Sequence, residues 1–207
     1  MIRAEIVEYI EQNILPQYVN FDRAHNVDHA TTVIAESAAL SRFYPSLDEE
    51  MVYIIAAYHD TGLCEGRERH HIVSGEILRA DTFIGTLFTE DQIEMMAQAI
   101  EDHRASAKLE PRSLYGRIVA EADRIISVDT TLRRTIQYGL KQNPKATLQE
   151  HFNRFAEHLT EKYAEGGYLK LYIPESGNAA RLKELRQVIE DTKELHARFE
   201  RIFAEEN

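Results

Sequence analysis

Apolar residues recur at helical spacing over most of the chain. Ile2, Ile6, Tyr9, Ile10 and Ile14 fall on one face, which predicts an amphipathic helix that Pro16 should stop. Asn26 or Asp28 can cap a second helix to about Phe43, with Val33, Ile34 and Leu40 turned inward. Asp48, followed by Glu49 and Glu50, opens a third that reaches His59, where Gly62 should break it. Further helices are predicted near 68–84, 90–104, 112–140, 147–164 and 178–204. The last carries a stripe of Leu182, Leu185, Ile189, Leu195, Phe199 and Ile202 that reads as core or as the surface of a homodimer. Only "YLKLYI", Tyr168 to Ile173, has any strand character, as a short irregular or extended segment. The surrounding "YAEGGYLKLYIPES" reads equally as a lid and as a plain connector. No repeat, linker or low-complexity tract divides the sequence, so the expectation is an all-α, single-domain helical bundle over 1–207.

Charge narrows the choice of partner. A formal net charge of −11 over 207 residues argues against broad binding to nucleic acid or to an anionic membrane, and points to a small ligand. The single cysteine, Cys64, rules out an internal disulfide framework and a Cys-rich zinc site, and reads as a small buried residue. The opening "MIRAEIVEYIEQNIL" is charged throughout, and no stretch is apolar enough to cross a bilayer. A cytoplasmic protein is expected.

The nine histidines are placed unevenly. Six of them, at 25, 29, 59, 70, 71 and 103, fall in the N-terminal half, whereas His151, His158 and His196 sit in charged helices and read as solvated. "AHNVDHA" puts His25 and His29 at the mouth of one helix, and "AAYHDTG" puts His59 and Asp60 at the exit of another. "RHHIVSGEIL" brings His70 or His71 to the start of a third, and "AIEDHR" sets His103 near the end of a fourth. "RIVAEADRIISV" buries Asp123 in an apolar run, where a carboxylate is costly unless engaged.

Imidazole and carboxylate together suit Mn, Fe, Co, Ni or Zn. His29, His59 and Asp123 can converge on one ion, with Asp60 offering a second oxygen. Asp60 could also bridge to a second ion held by His70 and His103. The ordered set His29, His59-Asp60, Asp123 resembles the defining pattern of the HD-domain metal-dependent phosphohydrolase superfamily, over about His25 to Val128. "AAYHDTGL" is similar to its apolar-apolar-HD-x-G signature. "HHIVSGEIL" is similar to the His-x-x-x-Gly-Ala-x-x-Leu helix of the binuclear members, which selects His70 over His71 and sets Ser74 and Gly75 where two small residues are expected. No "GYP" follows His103, and Leu63 stands where that branch commonly has Lys, so the HD-GYP type is not matched. "HNVDH" resembles the His-Asn-x-x-His of cyclic-nucleotide phosphodiesterases, which implies His25 as general acid beside the ligand His29.

The resemblance implies a fold of the HD helical type, with a metal-site core at about 25–128 and a C-terminal helical extension at about 145–207. It also implies hydrolysis of a phosphate mono- or diester, with a nucleotide as the favoured substrate. One or two divalent ions on His29, His59, Asp60, His70, His103 and Asp123 would activate a hydroxide, with Asp60 and His25 in the catalytic roles. Arg69 and Arg104 are the better candidates among Arg67, Arg69, Arg104 and Arg124 for holding the phosphate. Glu65 and Glu68 could orient a water or a ligand histidine, and His71 could line the pocket. Two other classes share the pattern. One is a di-iron oxygenase of the six-ligand HD type, and the other a non-catalytic nucleotide-binding HD module.

Overall fold

Helix starts are set by side chains that satisfy the first free amides. Asn26 accepts from the His29 amide and opens α2, Val27–Ser41. Asp48 accepts from Glu50 and Met51 and opens α3, Glu49–Tyr58. Thr89 and Gln92 form a reciprocal capping box at the head of α6, Glu90–Glu101. The computed structural model describes residues 1–22 and 25–207, and among these it is all-α with no strand. The other α-helices are α1 Ala4–Tyr9, α4 His70–Ala80, α5 Thr82–Leu87, α7 Leu114–Asp123, α8 Val128–Gln142, α9 Leu148–Tyr163, α10 Asn178–Glu190 and α11 Thr192–Glu206.

Several predicted boundaries are corrected. Pro16 does not stop the first helical run, which continues through a π-helical turn, Ile10–Ile14, into a 3-10 helix, Leu15–Asn20. Pro16 stands in the first turn of that 3-10 helix, where its missing N–H costs nothing. Gly62 does not end α3 either. The chain leaves α3 at Tyr58, and Gly62 lies inside the 3-10 helix Thr61–Glu65. The long helices expected at 68–84, 112–140 and 178–204 are each split in two, because Asp81 and Asp191 cap new helices and Arg124–Ser127 breaks the third. Tyr168–Ile173 is irregular.

The chain forms two compact units. Unit 1 comprises Met1–Arg124 and Tyr172–Ser176. At its centre is α3, whose Met51, Val52 and Ile54 to Tyr58 are all buried, as expected of a helix apolar on every side. Around it pack α2, α6 and α7, with Ile6, Ile10, Val33, Leu78, Met96, Ile100 and Ile118 in the common core. Tyr172–Ser176 is tied down by the buried Glu121, whose carboxylate accepts from the Tyr172 amide at 2.7 Å and from the Ser176 hydroxyl at 2.5 Å.

Unit 2 comprises Ile125–Leu171 and Gly177–Asn207. In it α8 packs on α9 and α11, and α10 packs on α9 and α11. The stripe from Leu182 to Ile202 is buried, and the rings of Phe152, Phe155, Phe199 and Phe203 lie tilted against one another in sequence. His151 departs from expectation: it is only 4% exposed and packs on Phe203. Cys64 is exposed rather than buried, because it sits on the 3-10 helix that leaves the core.

Candidate metal centre

Five helix ends carry six convergent side chains. His29 lies in the first turn of α2, placed there by the Asn26 cap. His59 terminates α3, and the chain turns sharply after it. The fully buried Tyr18 fixes that turn, since its hydroxyl donates to the Ala57 carbonyl at 2.9 Å and accepts from the Asp60 amide at 3.2 Å. The 3-10 helix that follows lies against the start of α4. There Gly62 donates to Ser74 Oγ at 2.8 Å, and a Cβ at position 62 would fall 2.2 Å from the His70 carbonyl oxygen. His70 is the first residue of α4. Gly75, on the same helix, comes so near α6 that a Cβ would lie 3.1 Å from the Ala97 carbonyl oxygen. His103 follows the end of α6, and Asp123 is the last residue of α7.

These residues form two triads, His29–His59–Asp123 and Asp60–His70–His103. The Nε2 atoms of His29 and His59 are 3.2 Å apart, as are those of His70 and His103. Asp60 faces both groups: Oδ2 is 3.3 Å from His59 and 3.6 Å from His29, while Oδ1 is 3.4 Å from His70 and 3.5 Å from His103. Asp123 Oδ1 is 3.2 Å from His29 Nε2.

The donor chemistry fits divalent ions. Nδ1 of His59, His70 and His103 points at the carbonyls of Ala56, Arg67 and Ile100, at 2.8, 2.8 and 2.6 Å. Each therefore carries its proton on Nδ1 and a lone pair on Nε2 when neutral. In the second triad two such lone pairs face each other at 3.2 Å, which is repulsive unless a cation stands between them. His29 Nδ1 is buried and has no partner. The field is strongly mutual. Burial opposes charge on His29, yet Asp123 and Asp60 push its pKa up to about 9. Against the cost of burial, the imidazoles hold Asp60 and Asp123 below the usual carboxylate range. Burial first, and then His103, push His70 down to about 4.

The other candidates lie around this cluster. His25 stands next to His29, with ring centroids 5.7 Å apart. Its Nδ1 donates to Asp22 Oδ1 at 2.6 Å, and Arg67 Nη2 approaches its Nε2 at 3.3 Å. Burial lowers its pKa, opposed by Asp60 and Asp22. His71 is outside both triads, with its ring 5.5 Å from that of His70 and a buried, unpartnered Nδ1. Glu65 and Arg69 are exposed, and Arg69 pairs loosely with Glu76 at 3.7 Å. Arg104 donates to the Glu68 carbonyl at 2.5 Å. Arg124 is buried with its guanidinium 5.0 Å from the Tyr172 ring.

Sequence reasoning passed over Tyr18, Asp22 and Glu121. For Glu121 the signal was present, since it is a second acid in the apolar run that drew attention to Asp123. Tyr18 and Asp22 carry no local signal, because each serves a residue reached only through the fold.

A family model, the HD domain, matches residues 26–127, which contain all six clustered side chains. Residues 26–127 are an HD domain. The HD domain is a metal-dependent, hydrolase-type family, and its histidines and aspartates here form the two groups suited to divalent ions. A solved structure, that of a predicted HD superfamily hydrolase from an uncultured Thermotogales bacterium, is similar at 21% identity. The likeness covers 65% of this chain and 74% of that one, with a TM-score of 0.49. No curated protein matches the sequence.

Proposed function

We propose that the HD domain is a binuclear metal-dependent phosphohydrolase that cleaves a phosphate mono- or diester, with a nucleotide as the favoured substrate. One observation carries the reading: Asp60 presents one carboxylate oxygen to each of two histidine groups. His29, His59 and Asp123 would hold one ion, His70 and His103 the other, and Asp60 both. Such ions supply Lewis-acid polarisation of a phosphoryl oxygen and a water acidic enough to react near neutral pH.

The chain's own residues then have definite tasks. The Nδ1 hydrogen bonds of His59, His70 and His103 fix their tautomers and aim Nε2 inward. The Asp123 side chain keeps 24% exposure, which leaves the cluster open to water and substrate. Asp22 fixes the His25 tautomer, so that Nε2 is the atom able to exchange a proton with a leaving oxygen. At rest His25 is neutral and accepts from Arg67. An anionic ester beside it favours the protonated, donating form. Arg67 is the cation nearest that exchange and is a candidate to hold the ester, in addition to Arg69 and Arg104.

The test is phosphate release by chelator-stripped protein resupplied with Mn, Co or Ni. p-Nitrophenyl phosphate, its bis-ester and a panel of nucleotides serve as substrates, with metal counted per chain and Asp60→Ala as control. Two ions per chain, with release that depends on both metal and Asp60, supports the proposal. Oxygen consumption by the iron-loaded protein without phosphate release would replace it by the di-iron reading. Stabilisation by a nucleotide without turnover would replace it by a binding module.

A further inference from the structure

Unit 2 contains a cavity of about 610 Å³ between the turn joining α8 to α9 and the first turns of α9. Its size is within the ~300–1,000 Å³ of small-molecule sites. Among its lining residues, Lys145 and Arg154 are cationic and His151 offers an imidazole N–H. The one acid at the rim, Glu150, is already engaged: its Oε2 accepts from the Thr147 amide at 2.7 Å and hydroxyl at 2.8 Å.

Arg154 is held in an unusual way. One amino group donates to the Thr135 carbonyl, and the guanidinium packs against Gly139, where a Cβ would lie 2.6 Å from Nη2. The tip lies 5.6 Å from the Tyr138 ring, and buried Nε has no partner. No carboxylate of the described residues is within ion-pair distance of it, in a chain with 35 acidic and 24 basic residues. Arg154 is half-buried, a guanidinium partly withdrawn from water without an anion is costly, and burial accordingly lowers its pKa. His151, only 4% exposed, lines the same cavity.

We infer that this cavity binds a small phosphate-type oxyanion, with Arg154 and His151 as donors and Lys145 at the rim. A guanidinium edge matches two oxygens of a phosphate, and an imidazole N–H can take a third. The volume left over admits the body of a small phosphorylated molecule, whose polar groups would meet the amides of Gln142 and Asn143. The site is built from unit 2 alone and stands whether or not the HD domain hydrolyses phosphate esters.

The experiment is calorimetric titration of the metal-stripped 207-residue chain with inorganic phosphate, repeated on Arg154→Met, Lys145→Glu and Asp60→Ala. Saturable one-site binding, at least 10-fold weaker in Arg154→Met, several-fold weaker in Lys145→Glu and unchanged in Asp60→Ala, is the expected result. Circular-dichroism melts check the folding of each variant. Should Arg154→Met fail to fold, the exposed Lys145→Glu decides alone, and unchanged affinity there overturns the assignment. Absence of saturation at millimolar phosphate, or binding lost only in Asp60→Ala, also overturns it.

Discussion

A methyl group at position 62 would meet the His70 carbonyl oxygen at 2.2 Å and the Ser74 amide nitrogen at 2.5 Å. Both are backbone atoms, so no side chain can move aside, and the start of α4 itself would have to shift. Gly62→Ala should therefore destabilise the protein by about 1–3 kcal/mol, read from urea midpoints. It should also lower metal bound per chain, because His70 is the residue displaced. The glycine was visible in the sequence as a breaker, but its actual duty, a close approach between two segments, was not. The same holds for the site as a whole. His29, His59, Asp60, His103 and Asp123 could be picked out because each is a polar residue set against apolar neighbours at a helix end, whereas His70 was separable from His71 only through the family resemblance. Tyr18, which ties Ala57 to Asp60, could not, because a tyrosine 42 residues from its partner looks like any other apolar position. His151 was misread for the opposite reason: its charged neighbours in sequence face solvent while its own ring faces Phe203.

Between elements, the α4–α6 contact matters most to the second histidine group, since it sets His70 against His103. Arg79 on α4 reaches across to two acids of α6, Glu94 at 2.7 Å and Glu101 at 2.6 Å. Arg79, and then Gln98, pull the Glu94 pKa down to about 2. A folded-state pKa below the unfolded one adds stability above the unfolded value, here 4.5, and loses it as pH falls towards 2. Arg79→Met should cost about 1 kcal/mol at pH 7, the pair being largely exposed. The gap between variant and parent should narrow from pH 4.5 downward, as the parent loses what the variant already lacks. Urea unfolding at pH 7, 4 and 3 measures it. Helix existence was legible from periodicity, but helix division was not. Asp81 and Asp191 each split an uninterrupted apolar pattern because a side chain caps a fresh first turn, and periodicity is blind to that.

For the molecule as a whole, ion binding should act on unit 1 selectively. A ligand that binds only the folded state at 100 times its Kd adds about 2.7 kcal/mol, equivalent to roughly 100-fold slower exchange for amides that open only by unfolding. Hydrogen exchange by mass spectrometry, with and without Mn, should show that protection in peptides from α2, α3, α4, α6 and α7. Peptides from the end of α8, the turn after it and α9 should respond to inorganic phosphate instead. Protection from Mn spread evenly over both units would count against a centre made of these six residues.

The six candidate ligands run from His29 to Asp123, and the chain has one cysteine and hence no internal disulfide. As a polymer, it would have its long loops closed by ions instead. The entropy cost of closing a flexible loop grows only slowly with its length, so two ions holding residues this far apart would tie the folded chain together as a pair of disulfides ties one, but reversibly and only while the chain is folded. Metal supply would then govern how long the molecule survives as well as whether it reacts. A chain made in a metal-poor cell would be the more easily cleaved by proteases, and each ion acquired would draw another loop shut.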